Sequence, residues 1–217
     1  MEIGYLGPGT KSDTMTVEAY TAMAERQKRR EAFYRSLLRS SALLLLFAAA
    51  GCFYMISVKE HGTGPAVYPF FSGEPFDPRR MVTELFIISL LPTFSFALCF
   101  PFKGVPGRCC DTVLPAAAGA LSGASSFGVI SSYPAPVTAA SLALAAPALL
   151  FIVFVMLVYA LIFAVCASYA RCRRCGTVSG EDGGVCFTYY IMSVTALCAC
   201  ISARDILSCV IRFIFKG

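Results

Sequence analysis

Two cysteines have the spacing of a metal site. Cys172 and Cys175 form a C-x-x-C pair, and thiolates at this spacing can hold a zinc ion. The sequence has no second C-x-x-C pair, and the two arginines inside this one would repel a cation. We therefore predict free thiols, no metal site and no cofactor. Palmitoylation of cysteines next to a membrane stays open as an alternative.

The serine in "GALSGASS" is the other candidate for chemistry. An intramembrane serine protease needs a Gly-x-Ser-Gly turn and a histidine on another span. Ser122 precedes Gly123, but Ala120 occupies the place of the first glycine, and the single histidine, His61, lies in a loop. The sequence also lacks His-Glu-x-x-His and paired aspartates. We predict that the chain is not an enzyme.

The composition indicates where these residues must be held. Of the 217 residues, 57% are hydrophobic and 14% charged, and the mean hydropathy is +0.70. Soluble domains are about 45–50% apolar and about 25% charged. These values exclude a soluble domain, a disordered chain and a nucleic-acid-binding protein. They predict an all-α, polytopic bundle of membrane helices.

Charge-free stretches and prolines divide the chain into membrane spans. Residues 112–170 carry no charge, but the turn signal at 133–136 and Pro147 interrupt them. The piece 137–146 is too short to cross a bilayer, so we predict an interfacial or re-entrant segment. Five transmembrane helices are predicted, at about 40–58, 82–102, 112–132, 147–170 and 186–204.

Basic residues predict the orientation of these spans. They precede span one and occupy the loops between spans two and three and between four and five. The positive-inside rule then places the N-terminus in the cytoplasm. We predict a basic cytoplasmic helix over 1–39 and a membrane domain over 40–217. The basic segment is either the end of helix one or a helix on an anionic leaflet.

Few ionisable residues fall near the spans. Glu84 begins span two, where it either is a helix-start carboxylate favoured by the helix dipole or pairs with Arg79 or Arg80 one turn before it. Arg204 and Asp205 end span five. Because adjacent residues of a helix point in different directions, we expect no pair between them.

Small residues in span three predict close helix packing. Gly119, Gly123 and Ser126 share one face, and such residues let helix backbones approach. We expect this face to be buried against span two or four, whereas Ser122 should face lipid. Use of the same face by a partner or by a homo-oligomer stays open.

A family resemblance rests on two stretches: "ELFIISLLPTFSFALCFPFKGVPGRCCDTVLPAAAGALSGASSFGVI" and "APALLFIVFVML". In them, an apolar span, a short basic turn and a glycine-rich span precede a proline-marked span. Over about 35–217 the chain resembles the stage II sporulation protein M family. The resemblance implies a non-enzymatic membrane scaffold that works with sporulation proteins D and P. These partners degrade peptidoglycan during endospore engulfment.

The loop 59–80 would be the docking surface for such extracytoplasmic partners. It carries four aromatic residues between prolines: Tyr68, Phe70, Phe71 and Phe76. Aromatic side chains in such a loop either contact a partner or lie on the lipid interface. The alternative function is the membrane subunit of a transporter.

Overall fold

A computed structural model describes residues 11–60, 78–99, 108–131, 139–174 and 180–216, and every one of them is helical. This confirms the all-α class. The helices are α1 (Lys11–Glu60), α2 (Pro78–Cys99), α3 (Leu114–Ser131), α4 (Ala139–Arg174) and α5 (Gly180–Lys216), with a π-helical turn (Cys109–Val113) before α3.

Four helices contain segments long and apolar enough to cross a membrane. These segments are Ala19–Val58, Cys109–Ser131, Ala145–Arg174 and Gly183–Ile211. The apolar part of α2, Val82–Leu98, is shorter. The composition therefore predicted an integral membrane protein correctly.

α4 is the central helix, and it contacts each of the other four. Its 36 residues continue through Pro147 without a break. The prediction of a re-entrant segment at 137–146 is therefore wrong for the described part, from Ala139. The interfacial alternative stays a prediction, since the segment long and apolar enough to cross a membrane begins at Ala145. Proline removes one backbone donor, and a membrane helix tolerates this where neighbouring helices cover the freed carbonyl group.

The helices alternate in direction. At the start of α2, Glu84 pairs with Arg204, and near its end Phe96 stacks on Tyr190, with 4.8 Å between ring centroids. α2 and α5 are therefore antiparallel. Arg204 also lies over the ring of Phe151 in the first half of α4, so α5 is antiparallel to α4 as well.

On the other side of α4, α1 and α3 run parallel. Leu44 contacts Gly119, and Ala48 contacts Gly123 one turn further along both helices. The π-helical turn contacts the last turns of α4, so α3 is antiparallel to α4. Helices α1, α3 and α5 thus point one way, and α2 and α4 point the other way.

α1 is a single helix of 50 residues, which makes it about 75 Å long. A bilayer core is about 30 Å thick, so residues 11–35, here named the N-terminal arm, extend beyond it. The helix predicted over 1–39 is present in the described part, from Lys11. This basic segment continues without a break into the apolar half of α1. The continuity favours the interpretation of the segment as the end of helix one over that of a separate helix lying on the leaflet.

Several predicted features lie outside the described residues. They are the aromatic residues Tyr68, Phe70, Phe71 and Phe76, the turn at 133–136, His61 and Cys175.

Candidate functional site

Two glycines of α3 form the closest contact in the bundle. A Cβ atom at Gly119 would stand 3.0 Å from Cα of Leu44, and one at Gly123 only 2.8 Å from Cα of Ala48. Both distances are shorter than van der Waals contact. The glycine face is therefore closely packed, but its partner is α1. The expectation of span two or four as the partner was wrong.

α1 contributes a glycine that the sequence did not single out. A Cβ atom at Gly51 would stand 3.1 Å from Cα of Ala120. Beside it, the thiol of Cys52 donates to the carbonyl oxygen of Gly123 at 3.0 Å. Ser126 is half-buried, and its hydroxyl donates to the Ser122 carbonyl within α3. The close contact, here named the glycine seam, therefore consists of the three glycines and their backbone neighbours.

A buried cluster of charges joins α2 to α5. Arg204 donates from Nη2 to Oε2 of Glu84 at 2.7 Å. It also donates to Oδ1 of Asp205, from Nε at 2.8 Å and from Nη2 at 2.6 Å. The guanidinium lies 5.0 Å from the centroid of the Phe151 ring. Three helices therefore meet at Arg204, whose side chain is only 8% exposed.

This cluster gives Glu84 a partner that was not expected, Arg204 on α5. The side chains of Arg79 and Arg80 lie outside the described part of the structure, so a pair between Glu84 and either of them stays a prediction. Arg204 and Asp205 are also paired, although they are adjacent. The Arg204 side chain is long enough to fold back over the next residue, so the rule for neighbouring residues on a helix does not hold here.

The charges of this cluster hold the helices together. Moving an ion into an apolar interior costs several kcal/mol, which only well-placed counter-charges offset. Here two carboxylates share one guanidinium, and Phe151 supplies a ring face that favours a cation. Arg204 therefore holds α2 and α4 against α5.

A second ion pair closes the opposite end of the bundle. Nη2 of Arg171, on α4, donates to Oδ2 of Asp111, in the π-helical turn. The Asp111 side chain is 7% exposed and that of Arg171 is 34% exposed, so the arginine reaches inward from the surface. An aspartate in the first turn of a helix is also favoured by the helix dipole. Sequence analysis did not predict this pair.

Unpartnered polar atoms surround this end. The described residues leave Oδ1 of Asp111 and the hydroxyls of Ser36, Ser40 and Ser95 buried without a hydrogen-bond partner. Cys110 points its thiol at the Ser95 carbonyl oxygen, 3.8 Å away. The interior around the π-helical turn is thus polar, and turns of this type are found frequently at functional sites.

Ser122 is buried, although it was expected to face lipid. It is 7% exposed and lines a cavity of about 220 Å³ between α2, α3 and α4. Tyr159 also lines this cavity, but its hydroxyl donates to the Ile88 carbonyl oxygen at 2.7 Å. The cavity walls are otherwise mostly aliphatic, which suits packing better than acid–base chemistry.

The described cysteines do not form a metal site. Within the described ranges, no three His, Cys, Asp or Glu side chains come together as ligands. Cys172 is half-buried at the end of α4, and all the described cysteines are free thiols. Cys110 and Cys186 are buried, which makes both poor acceptors for a lipid.

Comparison of this chain with models of protein families, with curated proteins and with solved structures finds no match. The resemblance to the stage II sporulation protein M family stays a prediction from the sequence pattern.

Proposed function

We propose that this protein is a non-enzymatic integral membrane scaffold that presents the N-terminal arm to a partner protein. The observation that carries the proposal is the exposure of the arm. From residue 19 to 32 almost every side chain is exposed, so the rest of the bundle leaves this length of helix uncovered.

The composition of the arm suits protein binding. Tyr20 and Met23 are 76% and 73% exposed and lie one turn apart, and Tyr34 is also exposed. Tyrosine, methionine and arginine are enriched at protein interfaces. Basic residues flank these apolar side chains, which favours a partner with an acidic surface.

The placement of the charged groups also supports a scaffold. The buried ion pairs at the two ends of the bundle bind helix to helix, and each acid among them faces an arginine. Such pairs give the bundle a fixed geometry, which a scaffold needs to hold its partners in register.

The orientation belongs to the same proposal. The 22 residues of α2 form a helix about 33 Å long, which is enough to cross a bilayer core of about 30 Å. With α2 counted, the alternating helices give five crossings. With the basic end in the cytoplasm of a bacterial cell, the arm is cytoplasmic and the loop 59–80 lies outside. If the resemblance to the stage II sporulation protein M family holds, the partners outside the cell are the peptidoglycan-degrading sporulation proteins D and P, and the scaffold acts in endospore engulfment.

The second candidate is a membrane subunit of a transporter. The cavity between α2, α3 and α4 favours it, because Ser122 and Ser125 place hydroxyl groups inside the membrane region. An aliphatic cavity of this size could hold only a small apolar solute.

Site-specific crosslinking in native membranes tests the scaffold. A photoreactive residue in the arm should capture a discrete partner. The double variant Tyr20→Ala, Met23→Ala should lose that partner while inserting normally. The matched control is Leu45→Ala, Phe53→Ala, which removes equally exposed apolar side chains from the spanning half of α1.

The outcomes separate the candidates. Equal loss of the crosslink in both double variants would contradict the arm as the docking surface. Solute uptake by vesicles containing the purified protein, abolished by Ser122→Leu, would favour the transporter instead.

A further inference from the structure

A cavity of about 210 Å³ opens between α1, α4 and α5 at the basic end of the bundle. Its walls include Arg29 and Phe33 of α1, Val165, Ser168 and Cys172 of α4, and Tyr189 of α5. None of these residues belongs to the glycine seam or to the Arg204 and Arg171 clusters.

The cavity is polar at one end and apolar at the other. Along α1, Phe33 lies one turn closer to the membrane interior than Arg29. Because α4 runs the opposite way, Val165 is deeper than Cys172, and Tyr189 is the deepest of the α5 residues in the wall. A guanidinium therefore stands at the outer rim, and aromatic and aliphatic side chains cover the inner end.

Arg29 differs from the basic residues around it. Arg26, Lys28 and Arg30 are exposed, whereas Arg29 is half-buried against the cavity. The surroundings are basic: residues 25–39, 108–113, 168–174 and 180–189 contain ten basic and five acidic residues. Basic pockets between membrane helices on the cytoplasmic side bind the head groups of anionic lipids.

We propose that this cavity binds one anionic phospholipid, with the phosphate at Arg29 and an acyl chain along Phe33, Val165 and Tyr189. The charge of the rim selects a negative head group. The apolar inner end selects a lipid over a free phosphate ester, because a soluble ester would leave that end empty. The site adds a lipid ligand that the scaffold proposal does not require.

Native mass spectrometry of the full-length protein in detergent tests the site. The probes are phosphatidylglycerol, phosphatidylcholine and soluble glycerol phosphate. One phosphatidylglycerol should bind at least about tenfold more tightly than phosphatidylcholine. Arg29→Gln should lose about tenfold in affinity for phosphatidylglycerol, since a hydrogen bond to a charged group contributes about that much.

Arg30→Gln is the matched control, because it removes the same charge from the next, exposed position. It should change the affinity less than about twofold, since a surface charge contributes little. Arg29→Lys should retain binding within a few-fold, and a melting curve for each variant verifies the fold.

Three results would overturn the proposal. They are equal losses in Arg29→Gln and Arg30→Gln, equal binding of the two phospholipids, and binding of glycerol phosphate as tight as that of the lipid. The first would indicate only a diffuse basic surface, the second would remove the role of charge, and the third would remove the role of the acyl chain.

Discussion

Replacing Gly123 by alanine should push α1 and α3 apart. The new Cβ would overlap the carbonyl oxygen of Ala48 and stand 2.8 Å from its Cα. Carbon atoms prefer about 3.5–4.0 Å, so the backbones must separate by roughly 1 Å. Neither contacting atom belongs to a flexible side chain, so no rotamer change relieves the clash. Overpacking of this kind costs about 1–3 kcal/mol.

The measurement is reversible unfolding of the purified protein in mixed micelles, followed by helical circular dichroism. Gly184→Ala is the matched control, since a Cβ there has no atom within 4 Å. That substitution should leave stability unchanged or raise it by up to about 1 kcal/mol, because alanine favours the helix. If both variants unfold at the same midpoint, the glycine seam is not a close contact and the reasoning fails.

Three further perturbations follow from the buried contacts. Arg204→Leu should destabilise the protein by about 3–5 kcal/mol, because it leaves buried carboxylates without their cation. Glu84→Gln should lower the free energy of unfolding by less. A lower unfolding midpoint for Glu84→Gln than for Arg204→Leu would contradict this. Tyr159→Phe should cost about 0.5–1.5 kcal/mol in the same assay through the lost hydrogen bond to α2, and an unchanged midpoint would count against that bond. Ser122→Leu should raise the midpoint relative to Ala117→Leu, on the exposed side of α3, because its side chain buries apolar surface in the aliphatic cavity of about 220 Å³. A midpoint lowered by Ser122→Leu alone would contradict the presence of this space.

The sequence predicted the helices well because their signals are local. Uninterrupted apolar runs and flanking basic residues mark each long helix, and small residues marked the tight face of α3. The limit of local reasoning shows at Pro147. Proline ordinarily ends a helix in water, but a central helix surrounded by others keeps its direction through it.

The partners of the site residues could not be predicted in this way. Glu84 and Arg204 are 120 positions apart, and Asp111 and Arg171 are 60 apart. No spacing rule connects such residues until the helices are arranged. The burial of Ser122 could not be predicted for a related reason, because no local signal shows that α2 and α4 cover that side of α3.

The continuity of α1 ties the exposed arm to the interior of the bundle. From the last turn of the arm to the glycine seam, the helix is packed at Phe33, Ser36, Ser40 and Leu44. α1 is therefore held along several consecutive turns, and only the part before Phe33, about 33 Å of helix from Lys11, overhangs these contacts. A force on the overhang would be taken up first at Phe33 and Ser36, and the glycine seam would remain in place.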